Sequence, residues 1–248
     1  MVIRRWSRVL FILLAAAMLT GCMYRGEIER RQANPAFVRE EIDRVAAAVE
    51  RYYKARGVYP IKNADESTPV FEKYVIDLNR LVRTEMLSSI PANAFEAGGH
   101  YYYLLVHPET EPVVMLMDLS AVQQVADLQQ DVDRYRDANG KLPAGAETAP
   151  GFFAIDYAAL KRDAPDIRSP FTNQILPVLL HASGETLIDY GLDIMEASRQ
   201  AAEAAEPPVA EGEDAREWLA KASPLAPALS YPYVWRNGEP VLTAPEGK

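Results

Sequence analysis

The residues with the plainest chemistry are Leu19, Thr20, Gly21 and Cys22, which place the chain's one cysteine at the end of an apolar N-terminal stretch. Arg4, Arg5 and Arg8 form a positive region, and Val9 to Met18 an apolar one too short to span a bilayer as a folded anchor. Small residues then lead directly into the thiol. This is the spacing of a lipobox: residues 1–21 act as a signal peptide, and Leu19, Thr20 and Gly21 are the signal-peptidase recognition residues. Cys22 is the site of lipidation. A diacylglyceryl group on that sulfur carries two acyl chains of the palmitate type, and two chains are what stable anchoring requires. The expectation is a lipoprotein tethered to the extracytoplasmic face of the cell membrane through Cys22 without crossing it. With no second cysteine, an intramolecular disulfide is impossible even in an oxidising compartment.

Other reactive side chains give weaker signals. Of the three histidines, His100 and His107 flank one predicted strand and His181 sits at a predicted hairpin. His107 and His181 fall at related places, but related places in repeated hairpins lie far apart, so no metal site is expected. Asp77 and Asp156 recur at matching positions, as do Asp118 and Asp193. Paired carboxylates can do acid–base work; recurrence points instead to a role the fold needs, such as helix capping. The chain has no Gly-x-Ser-x-Gly elbow, no His-Glu-x-x-His helix and no phosphate-binding glycine loop. No catalytic residue, metal or cofactor is assigned, ligand-binding residues are unassigned, and an enzyme is not expected.

Charge narrows the partners. The full chain has 26 basic and 35 acidic residues, and all three arginines of residues 1–21 leave with the signal peptide. An acidic protein at a membrane is a poor nucleic-acid binder and is repelled by anionic headgroups, so the acyl chains must hold it there. The partners expected are the membrane, through the lipid on Cys22, and an envelope protein; no nucleic acid is expected.

The positioning elements come from a repeat. Val49, Arg51, Tyr52, Ala55, Gly57 and Pro60 recur as Val132, Arg134, Tyr135, Ala138, Gly140 and Pro143 at a constant offset of 83. Ile76-Asp77 and Leu81 then find counterparts in Ile155-Asp156 and Leu160, and Asp118-Leu119 in Asp193-Ile194. Six identities in register, followed by the same order, argue for duplication. The first copy opens with a helix capped by Asn34 with Pro35 at its first position. Its apolar stripe is Val38, Ile42, Val45, Val49 and Tyr52, and Gly57 ends it. The second copy has Ser120 as cap, a stripe of Val122, Val125, Leu128, Val132 and Tyr135, and Gly140 at the end. Short helices follow near Leu78 to Met86 and Tyr157 to Arg162. Hairpins follow at Tyr101–Val106 with Val113–Met117, and at Ile175–Leu180 with Thr186–Tyr190.

The fold class expected is therefore α+β: two tandem modules, each a long N-terminal helix, a short helix and a small antiparallel sheet, plus a C-terminal hairpin. Residues 22–33 form a tether, 34–119 the first module and 120–194 the second. Residues 195–226, rich in Ala, Glu and Pro, read as a linker with partial helix, in which Trp218-Leu219 could dock. Residues 227–248 contain the hairpin, with Asn237-Gly238 as a tight-turn signal.

Two resemblances bear on function. Cys22-Met23-Tyr24, Tyr59-Pro60-Ile61-Lys62, Thr68-Pro69-Val70-Phe71 and Lys73-Tyr74-Val75-Ile76-Asp77 resemble an uncharacterised lipoprotein family of spore-forming Gram-positive bacteria. The segments 93–99, 169–174 and 188–190 are also similar. Members are sometimes labelled ABC-transporter periplasmic binding proteins, and that label implies solute binding. In addition, a helix ending Tyr53, Gly57, Tyr59-Pro60, with Gly140 and Ser169-Pro170-Phe171-Thr172-Asn173-Gln174 in the second copy, resembles the soluble module of type II secretion pseudopilins. That resemblance implies pilin-like modules. The prepilin cleavage motif, the apolar stem helix and the calcium loop have no counterpart. The first expectation is thus a non-catalytic lipoprotein acting as an adaptor or accessory subunit of an envelope complex. The alternatives are a solute-binding lipoprotein of an ABC transporter and an envelope hydrolase with an unrecognised site.

Overall fold

A computed structural model describes residues 34–204 and 212–245. Leu19, Thr20, Gly21, Cys22, the rest of the signal peptide and the tether lie outside the described residues. The chain is α+β with small antiparallel sheets. Helix α1 (Pro35–Arg56) is capped by Asn34, whose side chain accepts from the Ala36 N–H at 3.0 Å, and ends at Gly57 in the left-handed region. Helices α2 (Val70–Lys73) and α3 (Leu78–Arg83) lead to strands β1 (Tyr101–Val106) and β2 (Val113–Asp118). Helix α4 (Leu119–Asn139) follows without a loop and ends at Gly140, also left-handed. Both glycines satisfy a terminal carbonyl there, Gly57 that of Tyr53 and Gly140 that of Arg136, in a conformation a Cβ would strain.

The second half continues with β3 (Ala144–Ala149), β4 (Phe152–Ile155), α5 (Tyr157–Leu160), β5 (Val178–His181) and β6 (Thr186–Ile188), the strands pairing in the order β3-β4-β5-β6. Two corrections to the sequence reading arise here. Strands β3 and β4 were not expected, because Ala144–Ala149 is nearly all small or polar and lacks the β-branched alternation of a half-buried strand. The cap of α4 is Asp118, not Ser120: Asp118 Oδ1 accepts from the Ser120 N–H at 2.7 Å, so Ser120 is the residue being capped.

The two halves reuse the same backbone bonds. The Asp77 N–H donates to the Pro60 carbonyl at 2.7 Å, and that of Asp156 to Pro143 at 2.8 Å. Their carboxylates cap α3 and α5 through the N–H groups of Arg80 and Ala159. The bridges Ile61–Ile76 and Val75–Leu104 trace in the first half the path that β3, β4 and β5 take in the second.

Helix α1 packs Val45, Ala48, Val49 and Tyr52 against Leu81, Tyr103, Leu105 and Leu116, while Leu104, Val106, Met115 and Met117 face Phe71, Ala226 and Ala228. The hairpin β1–β2 is thus covered on both faces. Tyr101 and Tyr103 pack in one cluster and Tyr102 against the other, as strand alternation requires. Helix α4 gives Val125, Leu128 and Val132 to a second core shared with β4–β6.

The Ala/Glu/Pro-rich stretch holds more structure than a linker. Helix α6 (Gly191–Glu203) begins before it, and α7 (Arg216–Ala222) buries Arg216, Trp218 and Leu219. Strands β7 (Tyr233–Arg236) and β8 (Glu239–Leu242) form the expected hairpin as a separate two-stranded sheet, with Asn237 and Gly238 both at positive φ. Between α7 and β7 the chain runs as a strap along both larger sheets. The Leu116 N–H donates to the Pro224 carbonyl at 2.9 Å and the Ala226 N–H returns to Leu116 at 2.8 Å. Further on, the Ile188 N–H donates to the Leu229 carbonyl at 2.7 Å, and the Leu229 N–H reaches Glu72 Oε1 at 2.8 Å.

Arg216 holds the strap in place. Its guanidinium is buried, donates to both Asp214 oxygens (2.9 Å from Nε to Oδ2) and to the Ser230 carbonyl at 2.6 Å, and lies 5.0 Å from the centre of the Phe71 ring. Asp214 also accepts from the Tyr233 N–H at 3.1 Å. Removing Arg216 leaves the Ser230 carbonyl without its donor and a part-exposed Asp214 that water can still reach, which costs about 1–3 kcal/mol. Arg216→Ala should therefore lower unfolding stability by about that amount in urea titrations. The exposed-side pair His107–Glu217, 3.0 Å apart, is of the part-solvated kind worth about 0–1 kcal/mol, and Glu217→Gln should change stability by less than about 1 kcal/mol.

Candidate docking face

The segment Ser169–Gln174 is a closed turn. The Ser169 N–H donates to the Gln174 carbonyl at 2.7 Å, the Asn173 N–H to Ser169 at 3.0 Å, and Asn173 adopts φ 61°. Ser169 Oγ accepts from the N–H groups of Phe171 and Thr172, each at 3.0 Å, and donates to Asp193 Oδ2 at 2.7 Å. Thr172 Oγ1 donates to Asp193 Oδ1 at 2.6 Å. Both oxygens of a buried carboxylate in the first turn of α6 thus fasten this turn to the helix, where the helix dipole favours negative charge. Phe171 meets Tyr190 edge-on, with ring centres 6.0 Å apart.

Helix α6 is thereby fixed, and its outer side carries apolar groups in solvent. Leu192 is 67% exposed and Met195 39%, three residues apart on one face. They form a ridge between two hollows. One, about 750 Å³, is walled by Phe171, Thr172, Gln174 and Arg199. The other, about 410 Å³, is walled by Leu179, Tyr233, Val241 and Leu242, with Asp189 and Glu239 among its polar residues. Arg199 is paired with Glu196 and Glu203, and its hydrogen bonds hold the exposed Glu196 carboxyl down at about 2. Burial beside Asp189 pushes the Tyr233 hydroxyl well up, consistent with its role as donor to Asp189 Oδ1 at 2.7 Å.

A third hollow, about 540 Å³, lies open between α4 and the β5–β6 turn. Gln129 holds that turn to the helix, and other polar groups around the hollow are paired nearby. Gln129 donates to the Gly184 carbonyl at 2.8 Å and accepts from the Thr186 N–H at 2.7 Å, Arg136 pairs with Asp133, Tyr231 donates to Glu185, and His181 Nδ1 lies 2.9 Å from Ser183 Oγ.

The histidines do not converge on a shared partner. His100 is exposed, His107 Nε2 faces Glu217, and His181 is buried against Phe152 and Tyr231. Among the described residues no group of three or more His, Cys, Asp or Glu side chains could hold a metal. Asp77, Asp156 and Asp118 are caps. Asp193, matched to Asp118 by sequence, is not; the aspartate at the second strand-to-helix junction is Asp189, which accepts from the Gly191 N–H at 2.8 Å. The sequence reading also passed over Leu192 and Met195, because it ended the second half at residue 194. The signal that could have found them is the spacing of Ile194, Ala197 and Ala201 inside and Leu192 and Met195 outside.

The fold and this face define a mixed helix-and-sheet protein with an exposed apolar ridge on α6. Residues 38–118, from α1 to the end of β2, are similar to the YphF family N-terminal domain, which points to an uncharacterised bacterial family. No curated protein and no solved structure matches the chain. Among the described residues no helix is long and apolar enough to cross a membrane.

The two halves of the face should respond differently to substitution. Asp193→Ala leaves two hydroxyls without acceptors and should cost about 2–3 kcal/mol in urea unfolding. Leu192→Glu, at an exposed site, should change stability by no more than about 0.5 kcal/mol.

Proposed function

We propose that this chain is a lipid-anchored, non-catalytic lipoprotein of the extracytoplasmic membrane face that serves as an adaptor or accessory subunit of an envelope complex. The docking role rests on one observation, the exposed Leu192–Met195 ridge on a helix fastened by Asp193. An apolar ridge between concave flanks on a fixed base suits a protein partner, since such anchors carry most of an interface's energy. Anchoring rests on the sequence of Leu19, Thr20, Gly21 and Cys22.

We also read the two halves as tandem pilin-like modules produced by duplication. The shared bonds of Asp77 with Pro60 and Asp156 with Pro143, and the twin left-handed caps Gly57 and Gly140, support that reading.

Growth of expressing cells with labelled palmitate, followed by crosslinking in isolated membranes, tests the proposal. The wild type should carry label and retain a stoichiometric protein partner. Cys22→Ala should lose the label, and Leu192→Glu should keep the label but lose the partner. Undiminished label on Cys22→Ala would overturn the anchor, and an unchanged partner set with Leu192→Glu would overturn the docking face.

A further inference from the structure

The two hollows that flank the α6 ridge differ in charge. The larger is walled in part by Arg199, which already pairs with Glu196 and Glu203. The smaller, about 410 Å³, has Asp189 and Glu239 in its wall and no Lys, Arg or His among the described residues that line it. Arg236 is exposed and stands opposite Glu239 in the hairpin register, outside that wall. The rest of the smaller hollow is largely apolar, with Leu179, Leu192, Met195, Val241 and Leu242 around it.

Asp189 is half-buried, and only one of its oxygens is used. Oδ1 accepts from the Tyr233 hydroxyl at 2.7 Å and from the Gly191 N–H at 2.8 Å. Oδ2 accepts no hydrogen bond from the described residues, and neither Asp189 nor Glu239 is ion-paired among them. While the hollow is open, solvent serves that oxygen. A partner that covers the hollow removes the solvent, and a carboxylate buried without a counter-charge is strongly unfavourable. Whatever covers this hollow must therefore bring a cation with it.

We propose that the hollow between α6 and β8 receives an arginine side chain of a protein partner, its guanidinium on Asp189 Oδ2 with Glu239 at the rim. This rests on the reading of the Leu192–Met195 ridge as a docking face and names the chemistry of what docks there. Guanidinium suits the site better than ammonium. It is more weakly hydrated, so apolar walls cost it less, and its fork of donors serves more than one oxygen. Its methylene stem covers Val241 and Leu242 while the head stays on the charge. A neutral or acidic segment in the same place would leave Asp189 covered and unanswered, so the carboxylate selects the partner as well as anchoring it.

Methyl NMR of the detergent-solubilised full chain, labelled at its methionine methyls and titrated with two synthetic peptides, tests this. The probe is acetyl-Leu-Arg-Leu-amide, and its neutral isostere carries citrulline in place of arginine. The Met195 methyl, assigned through Met195→Leu, should shift saturably with the arginine peptide, and the citrulline peptide should bind at least about tenfold more weakly. Asp189→Asn keeps an acceptor for Tyr233 and Gly191 but no charge, and should weaken the arginine peptide by about tenfold with an unchanged circular dichroism spectrum. Glu239→Gln, at the exposed rim, should weaken it by about threefold. No saturable shift, equal binding of the two peptides, or arginine binding undiminished in both carboxylate variants would each overturn the proposal. The citrulline comparison needs no variant, so it decides the matter even if Asp189→Asn alters the fold. Peptide binding is read on the purified chain, whereas the docking face is read from the partner set of Leu192→Glu in membranes, so the two ideas fail separately.

Discussion

The strap is the constraint on which the rest of the molecule depends. Each half is a helix on a small antiparallel sheet, and each sheet has an edge strand, β2 or β6, with unpaired backbone groups. One extended segment reaches both edges, at Leu116 and at Ile188. Those two residues occupy equivalent places in their hairpins: Leu116 pairs with Tyr103, Ile188 with Val178. A buried Arg216 fixes the strap at its far side by gripping Asp214 and the Ser230 carbonyl at once. Without that grip, Leu104, Val106, Met115 and Met117 on the second face of β1–β2 would lose the cover of Ala226 and Ala228.

This arrangement explains why the C-terminal part folds despite its composition. Ala, Glu and Pro supply little apolar area, but Trp218, Leu219, Tyr231 and Tyr233 are all buried in the core of the second half. Trp218 and Trp235 meet edge-on with centres 4.8 Å apart, tying α7 to the hairpin. The hairpin in turn walls the hollow beside Leu192. The exposed ridge of α6 is therefore held from two directions, by the Ser169–Gln174 turn and by the strap that positions β7–β8. A surface so braced can present apolar groups without collapsing onto them.

Much of the fold was legible in the chain because its local signals are strong and agree. Asn34-Pro35, the stripe from Val38 to Tyr52 and Gly57 each mark the same helix, and Asn237-Gly238 marks its hairpin. Strand β3 was hidden because its residues are small or polar, and β4 because its four residues form too short an apolar run to show a period. Asp118 displaced Ser120 as cap because either residue type can cap and only geometry decides. The apolar ridge of α6 was hidden for a different reason. Leu192 and Met195 gain meaning only when Asp193 is seen to be occupied by Ser169 and Thr172, a contact across more than 20 residues. The reading of Cys22 rests on sequence alone, and the residue lies outside the described residues.

Native-state hydrogen exchange on the full chain gives the most direct test of the strap. If it binds the two halves into one unit, the amide protons of Leu116, Ala226 and Ile188 should exchange with a common free energy, among the slowest in the protein and equal to that of global unfolding. Fast exchange at Ala226, or separate free energies for Leu116 and Ile188, would mean that the halves open independently and would contradict the account.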